Sequence, residues 1–252
     1  MNSKHRPCRA FLGCLLLASV LSTLYLPPAP VEAQSWWQRI TAPVRKNPDL
    51  CPPVPTPLTA LVPNRNQATL TGASYPSFWF YVPYRITPDA TEFTLKFVLQ
   101  DDSFRDIYTV DFSVPEAVGP GILSLQLSSE KAALAVGKSY HWYFLIYCND
   151  QQQVYEPAFV EGAIQRGELS QPRFDENAGS PSDPNQFQDQ LQVYAESNVW
   201  HEFFDTLALE LWTNPNQPGP REGWSQTLEA IELENLEQKP IVGRYVVPDL
   251  RE

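Results

Sequence analysis

Tyr140 to Cys148 reads Y-H-W-Y-F-L-I-Y-C, a strand-like run that is apolar on both of its faces. Side chains of an extended segment alternate between two sides. Tyr140, Trp142, Phe144 and Ile146 therefore share one side, and His141, Tyr143, Leu145 and Tyr147 share the other. Ser77 to Pro83 (S-F-W-F-Y-V-P), with Trp79 and Tyr81, is likewise aromatic on both faces. A sheet strand with one wet face alternates apolar with polar residues. Two strands that do not alternate need a second layer of cover, or they present a binding surface.

The neighbouring segments predict where such strands belong. Leu58–Val62, Phe93–Leu99, Tyr108–Phe112, Leu123–Leu127 and Pro157–Gln165 are short apolar or alternating runs separated by turn residues. With the two aromatic runs they make about seven strands, the number and spacing of a β-sandwich. Leu134, Gly137 and Tyr140 stand at the start of the strongest strand in the pattern of a tyrosine corner. There the tyrosine hydroxyl bonds a backbone group a few residues upstream, as in immunoglobulin-like and fibronectin type III sandwiches. An ordinary tyrosine opening a strand is the alternative.

After a polar linker, the pattern changes period. Phe187, Leu191, Tyr194 and Ala195 fall at helical spacing, and Ser197-Asn198 reads as a break. Trp200, Phe203, Phe204, Leu207, Ala208 and Leu211 then form an i, i+3, i+4, i+7 stripe. Pro220 is expected to open a further helix bearing Trp224, Leu228 and Ile231. The expected fold is mainly β with α: an immunoglobulin/fibronectin-III-like β-sandwich, followed by about three helices whose apolar stripes pack on the doubly apolar strands. The expected boundaries are a signal peptide at 1–33, a Pro-rich linker at 34–56, the sandwich at 57–168, a linker at 169–186, the helices at 187–236 and a C-terminal tail at 237–252.

The first segment has the order of a secretory leader: Lys4, Arg6 and Arg9, then an uncharged stretch from Ala10 to Leu26, then prolines and Val31-Glu32-Ala33. Cleavage is expected between Ala33 and Gln34, leaving no stable membrane span; retention as an anchor, and a lipoprotein cleavage box at Phe11-Leu12-Gly13-Cys14, are the alternatives. Cys8 and Cys14 leave with it. Cys51 and Cys148 remain, and an even pair in an exported chain favours a disulfide over two buried thiols. Three basic residues and one acid also leave, so 15 basic and 28 acidic residues remain, a net charge of −13. Such a surface repels phosphate backbones and anionic membranes, which removes nucleic acid from the expected partners.

Chemistry-bearing patterns are few. His201-Glu202-Phe203-Phe204-Asp205 resembles a zinc-protease helix with Asp in place of the second His. A His–Asp pair on the helix surface is the reading preferred to a metal site. No G-x-S-x-G elbow is present. Adjacent acids such as Asp101/Asp102, Asp175/Glu176 and Glu229/Glu232/Glu234 read as solvated turns and helix faces rather than a glycosidase pair. No cofactor, metal ligand or catalytic residue is assigned.

The motifs Leu58–Pro63, Pro76–Tyr84, Phe97–Asp101, Pro120–Ile122, Gly137–Phe144 and Val160–Arg166, together with Cys51, Cys148, Tyr194-Ala195, Trp200 and Leu207, resemble the cyanobacterial domain-of-unknown-function 928 family over residues 51–236. The resemblance implies an exported protein and carries no catalytic residues. The leading expectation is a periplasmic or secreted binding module of the cell envelope, with a protein or glycan partner. It would act through the sandwich surface or its junction with the helices, at Trp79, Tyr81, His141, Tyr143 and Trp200. A carbohydrate-active or hydrolytic protein using loop carboxylates, and a structural component of an envelope assembly, are the alternatives.

Overall fold

A computed structural model describes residues 51–63, 68–88, 93–112, 114, 116–130, 133–148, 157–168 and 184–247. The signal peptide, most of the 34–56 linker, Asp175/Glu176 and the end of the tail lie outside the described residues.

Among the described residues nine strands form two sheets. The first contains β1 (Thr59–Ala60), β3 (Ser77–Val82), β6 (Gly121–Leu127) and β9 (Ile241–Val247), in the order β1-β3-β6-β9. The second contains β2 (Ala68–Thr71), β4 (Phe93–Gln100), β5 (Asp106–Phe112), β7 (Ser139–Cys148) and β8 (Ala158–Arg166), in the order β2-β8-β7-β4-β5. Most neighbours are antiparallel, but β2 runs parallel to β8, and β9 parallel to β6.

The period-two pattern turns into a core directly. Phe78, Phe80 and Val82 of β3 and Leu123, Leu125 and Leu127 of β6 face Leu95, Phe97 and Leu99 of β4 and Trp142, Phe144 and Ile146 of β7. Phe80 stacks on Phe144 with ring centroids 4.3 Å apart. Strand β5 alternates most clearly, with Tyr108, Val110 and Phe112 buried and the residues between them exposed. Each fully buried Leu, Ile or Phe stabilises this interior by about 1.5–3 kcal/mol.

Among the described residues three α-helices follow β8: α1 (Pro184–Glu196), α2 (Trp200–Thr213) and α3 (Pro218–Ala230). The third begins at Pro218, two residues ahead of Pro220, because Pro218 fills the first turn where its missing N–H costs nothing. The break between α1 and α2 falls at Asn198, which takes a left-handed conformation (φ 54°) that asparagine tolerates better than most residues. Phe187, Phe204, Leu207, Ala208, Trp224 and Leu228 pack on Leu61, Trp79, Tyr81 and Ile122. The order of layers is therefore sheet, sheet, helices.

This corrects one expectation. The helices cover the second face of β3 but not that of β7. The two strands belong to different sheets, whose outward faces point in opposite directions, so one helical layer reaches only one of them. On its outward side β7 contributes Tyr143 and Leu145 to a separate buried cluster with Val98, flanked by Tyr147 and Phe159. The expected C-terminal tail is also partly structured, since Ile241–Val247 forms β9.

Candidate functional site

The five sequence candidates divide between two places. Trp79, Tyr81 and Trp200 meet at the junction of the first sheet with α2, whereas His141 and Tyr143 lie on the outer face of the second sheet.

At the junction, α2 is fastened by polar groups set into its apolar stripe. Trp200 Nε1–H donates to Leu61 O at 3.1 Å. Trp79 Nε1–H donates to Asp205 Oδ1 at 2.9 Å, and Asp205 Oδ2 lies 3.4 Å from the Arg244 guanidinium on β9. Glu202 Oε1 accepts from Thr71 Oγ1 (2.7 Å) and from the backbone N–H groups of Gly72 and Ala73 (2.8 Å each). Tyr81 is buried beside them, with the Lys239 ammonium 5.4 Å over its ring.

His201 is not on the helix surface, which corrects the sequence reading. It is 4% exposed, edge-on to Phe78 at 5.3 Å. Its Nδ1 sits 2.9 Å from Ser77 O, and a carbonyl can only accept, so Nδ1 carries the proton. Nε2 then accepts from Thr69 Oγ1 at 2.7 Å. Burial holds the ring neutral, with its pKa pushed down to about 4. Both ring nitrogens are thus committed to the fold. Among the described residues no group of three or more His, Cys, Asp or Glu side chains is placed to hold a metal ion.

Beside Trp200 the surface opens into a cleft of about 340 Å³ where the edge of β2 meets the α1–α2 corner. Pro63, Thr69, Tyr194, Asn198, Trp200 and Phe203 line it, and none of the described residues lining it is charged. Trp200 is held there by its bond to Leu61 and by stacking on Phe204 at 5.3 Å.

On the other sheet, His141 stacks on Phe104 with centroids 4.7 Å apart. Tyr143 is buried beside Glu161, its partner on β8. Burial first, then the charges of Glu161 and Asp106, push its phenol up to about 12. Burial also raises the Glu161 carboxyl and lowers the His141 imidazole.

The remaining residues singled out in the sequence have structural surroundings. Tyr140 Oη accepts the Ala135 N–H at 2.8 Å, Leu134 is buried in the main core, and Gly137 takes φ 76° in the turn before β7. Arg166, buried across this turn, donates to Leu134 O and, at 3.3 Å, to Gly72 O. Cys51 and Cys148 form a disulfide with Cα atoms 5.2 Å apart. Asp101 pairs with Arg105 at 2.7 Å and Asp102 with Lys138 at 3.6 Å, so these two acids do not converge on a cleft.

Sequence reasoning singled out Glu202 and Asp205 only within the His201–Asp205 motif and missed their bonds to the first strands, and it missed the roles of Arg166 and Arg244. The available signal for the first two was an acid at each flank of an otherwise apolar helical stripe. Arg166 was visible only as a charge ending an apolar strand.

No curated protein matches this chain. Two solved structures are similar over part of it: Bacteroides uniformis beta-glucuronidase 2 covalently bound to cyclophellitol-6-carboxylate aziridine (11% identity, TM-score 0.26) and Bacteroides uniformis beta-glucuronidase (9% identity, TM-score 0.25). Each alignment covers 75% of this chain and 27% of the enzyme, so this chain matches about a quarter of their length. A family model, Domain of Unknown Function (DUF928), matches residues 41–241. With the two sheets, the helical layer and the disulfide in place, the chain belongs to the DUF928 family.

Proposed function

We propose that the chain is an exported, non-catalytic binding module of the cell envelope, and that the cleft at the sheet–helix junction is where it takes its ligand. The observation that carries this reading is the cleft itself: about 340 Å³, faced by rings on α1 and α2, and without a charged side chain among the described residues. Clefts of this size and apolar character, with a few polar groups, are the usual form of a ligand site. Export is supported by the leader-like order of residues 1–33 and by the Cys51–Cys148 bond, which persists in oxidising compartments. No helix among the described residues is long and apolar enough to cross a membrane.

The neutral lining fits an uncharged glycan of the envelope better than a charged polymer. Tyr194, Trp200 and Phe203 offer ring surface, and Asn198 offers an amide that both donates and accepts. A hydrolytic role would require carboxylates at the reacting bond, and none of the described residues lining this cleft carries one.

Calorimetric titration against neutral envelope glycans tests the reading. Ala195 lines the cleft and is exposed on α1, so Ala195→Trp fills the space without disturbing the core. Saturable binding that Ala195→Trp abolishes, with an unchanged circular dichroism spectrum, is expected. Unaltered binding in that variant, a preference for neutral peptides, or turnover of the glycan would each overturn it.

A further inference from the structure

The β4–β5–β7 end of the outer face of the second sheet shares no residue with the cleft, and it carries a different chemistry. Its near edge is the hairpin joining β4 to β5. Asp101 organises the tip, where its Oδ1 accepts the N–H groups of Ser103 (2.9 Å) and Arg105 (3.0 Å) while its Oδ2 meets the Arg105 guanidinium at 2.7 Å. Within that tip Phe104 takes φ 59°. Hairpins of this length usually place Gly or Asn there, because a side chain in the left-handed region costs roughly 1–2 kcal/mol. Here the position sets an aromatic ring against His141 while leaving Phe104 40% exposed. Ile107, three residues on, is 50% exposed. Strain retained at an exposed aromatic is a mark of use rather than of packing.

The polar groups beside this apolar tip are acceptors. Gln100 is 2% exposed and lies opposite His141 on one side and Asp106 on the other. Its Nε2 donates to Asp106 Oδ1 at 2.7 Å, and its Oε1 has no donor among the described residues. The cations on this face are already engaged: Lys96 with Asp111 at 3.6 Å, Lys138 with Asp102 at 3.6 Å, and Arg105 with Asp101. Asp106 and Glu161 have no cation among the described residues, and both raise the Tyr143 phenol from either side. The local field is therefore negative over a ring-bearing surface, which is where an ammonium or guanidinium gains from charge, hydrogen bonding and ring faces together.

We propose that this face docks a cationic polypeptide segment, with a lysine or arginine side chain taken between Asp106 and Glu161 beside Gln100 and with apolar neighbours seated on Phe104 and Ile107. The Asp106 and Glu161 carboxylates and the Gln100 Oε1 select against anionic partners, and the exposed hairpin tip supplies the apolar contact that a simple ion pair lacks.

Fluorescence anisotropy of the full chain with a labelled alternating lysine–phenylalanine dodecapeptide, and with its glutamate–phenylalanine counterpart, tests this. The lysine peptide is expected to bind saturably, to weaken roughly tenfold in Asp106→Asn/Glu161→Gln, and to be nearly lost at about 0.5 M salt. Amide resonances of Gln100–Ile107 and His141–Tyr143 should shift on titration, and Ala195→Trp should leave this binding intact, which separates it from the cleft. If the double variant melts early, the resonance shifts of the unaltered chain decide the matter. Equal affinity for the glutamate peptide, shifts centred on Tyr194–Phe203, competition by a neutral glycan, or self-association through this face in place of peptide binding would each overturn the proposal.

Discussion

The indole of Trp79 donates to Asp205, so the middle of β3 is tied to the middle of α2 by a 2.9 Å hydrogen bond set among apolar contacts. Removing the acceptor leaves a buried N–H without a partner. Asp205→Ala should therefore lower unfolding stability by about 1–3 kcal/mol, while Asp205→Asn, which keeps an amide oxygen, should lose less. Denaturant unfolding followed by tryptophan fluorescence checks the difference.

Glu202 satisfies three donors at the end of β2 and just beyond it. Glu202→Ala should release Thr71, Gly72 and Ala73 together and cost about 2–4 kcal/mol, more than a typical surface truncation. Glu202→Gln retains the accepting oxygen and should recover most of the loss. Hydrogen exchange at Gly72 and Ala73 reports the effect residue by residue.

Acid should destabilise the chain through His201. Its folded pKa, about 4, lies below its ordinary 6.5. The unfolded state therefore binds the extra proton between those values, and stability falls as pH drops from about 6.5 towards 4, by up to ~3 kcal/mol. Above pH 6.5 the ring contributes no slope. In His201→Gln the slope in this window should shrink, which urea melts at several pH values would reveal.

Gly162 faces Trp142 across the β7–β8 pair, and a Cβ built there would lie 2.3 Å from the indole ring. The ring is 1% exposed and has nowhere to retreat. Gly162→Ala should cost about 1–3 kcal/mol, read as a lowered Tm and altered near-ultraviolet circular dichroism.

The Cys51–Cys148 bond spans a sequence separation of 97. Reduction, or Cys51→Ser/Cys148→Ser, should lower stability by about 4–5 kcal/mol in the chain-entropy model. A thermal melt with and without dithiothreitol measures it.

Much of this architecture was legible because burial follows short-range periodicity. Tyr108, Val110 and Phe112 alternate in sequence and alternate in burial, and Phe204, Leu207 and Leu228 face the sheet their spacing implied. The allocation of strands to sheets was not legible. Nothing local to β3 or β7 states that they occupy different layers, so a single helical roof over both was expected. His201 and Asp205 show the same limit within the candidate site. Their one-turn spacing is visible, but whether the pair faces water or a second layer depends on Ser77, Thr69 and Trp79, all more than 120 residues away. The Phe104–His141 stack was equally hidden, because neither residue's neighbours signal that a hairpin tip will bend back over the strand.

Strand β9 pairs with β6 only after the three helices have intervened in the chain. A contact of such long range forms late, since the loop between its partners must be closed first. Any product that stops short of Ile241 would leave β6, with its buried Leu123, Leu125 and Leu127, as an open border with unsatisfied backbone groups. Shortened chains should therefore be recovered as aggregates or cleared by proteases, and quality control reads, in effect, whether the seven-residue strand Ile241–Val247 has arrived.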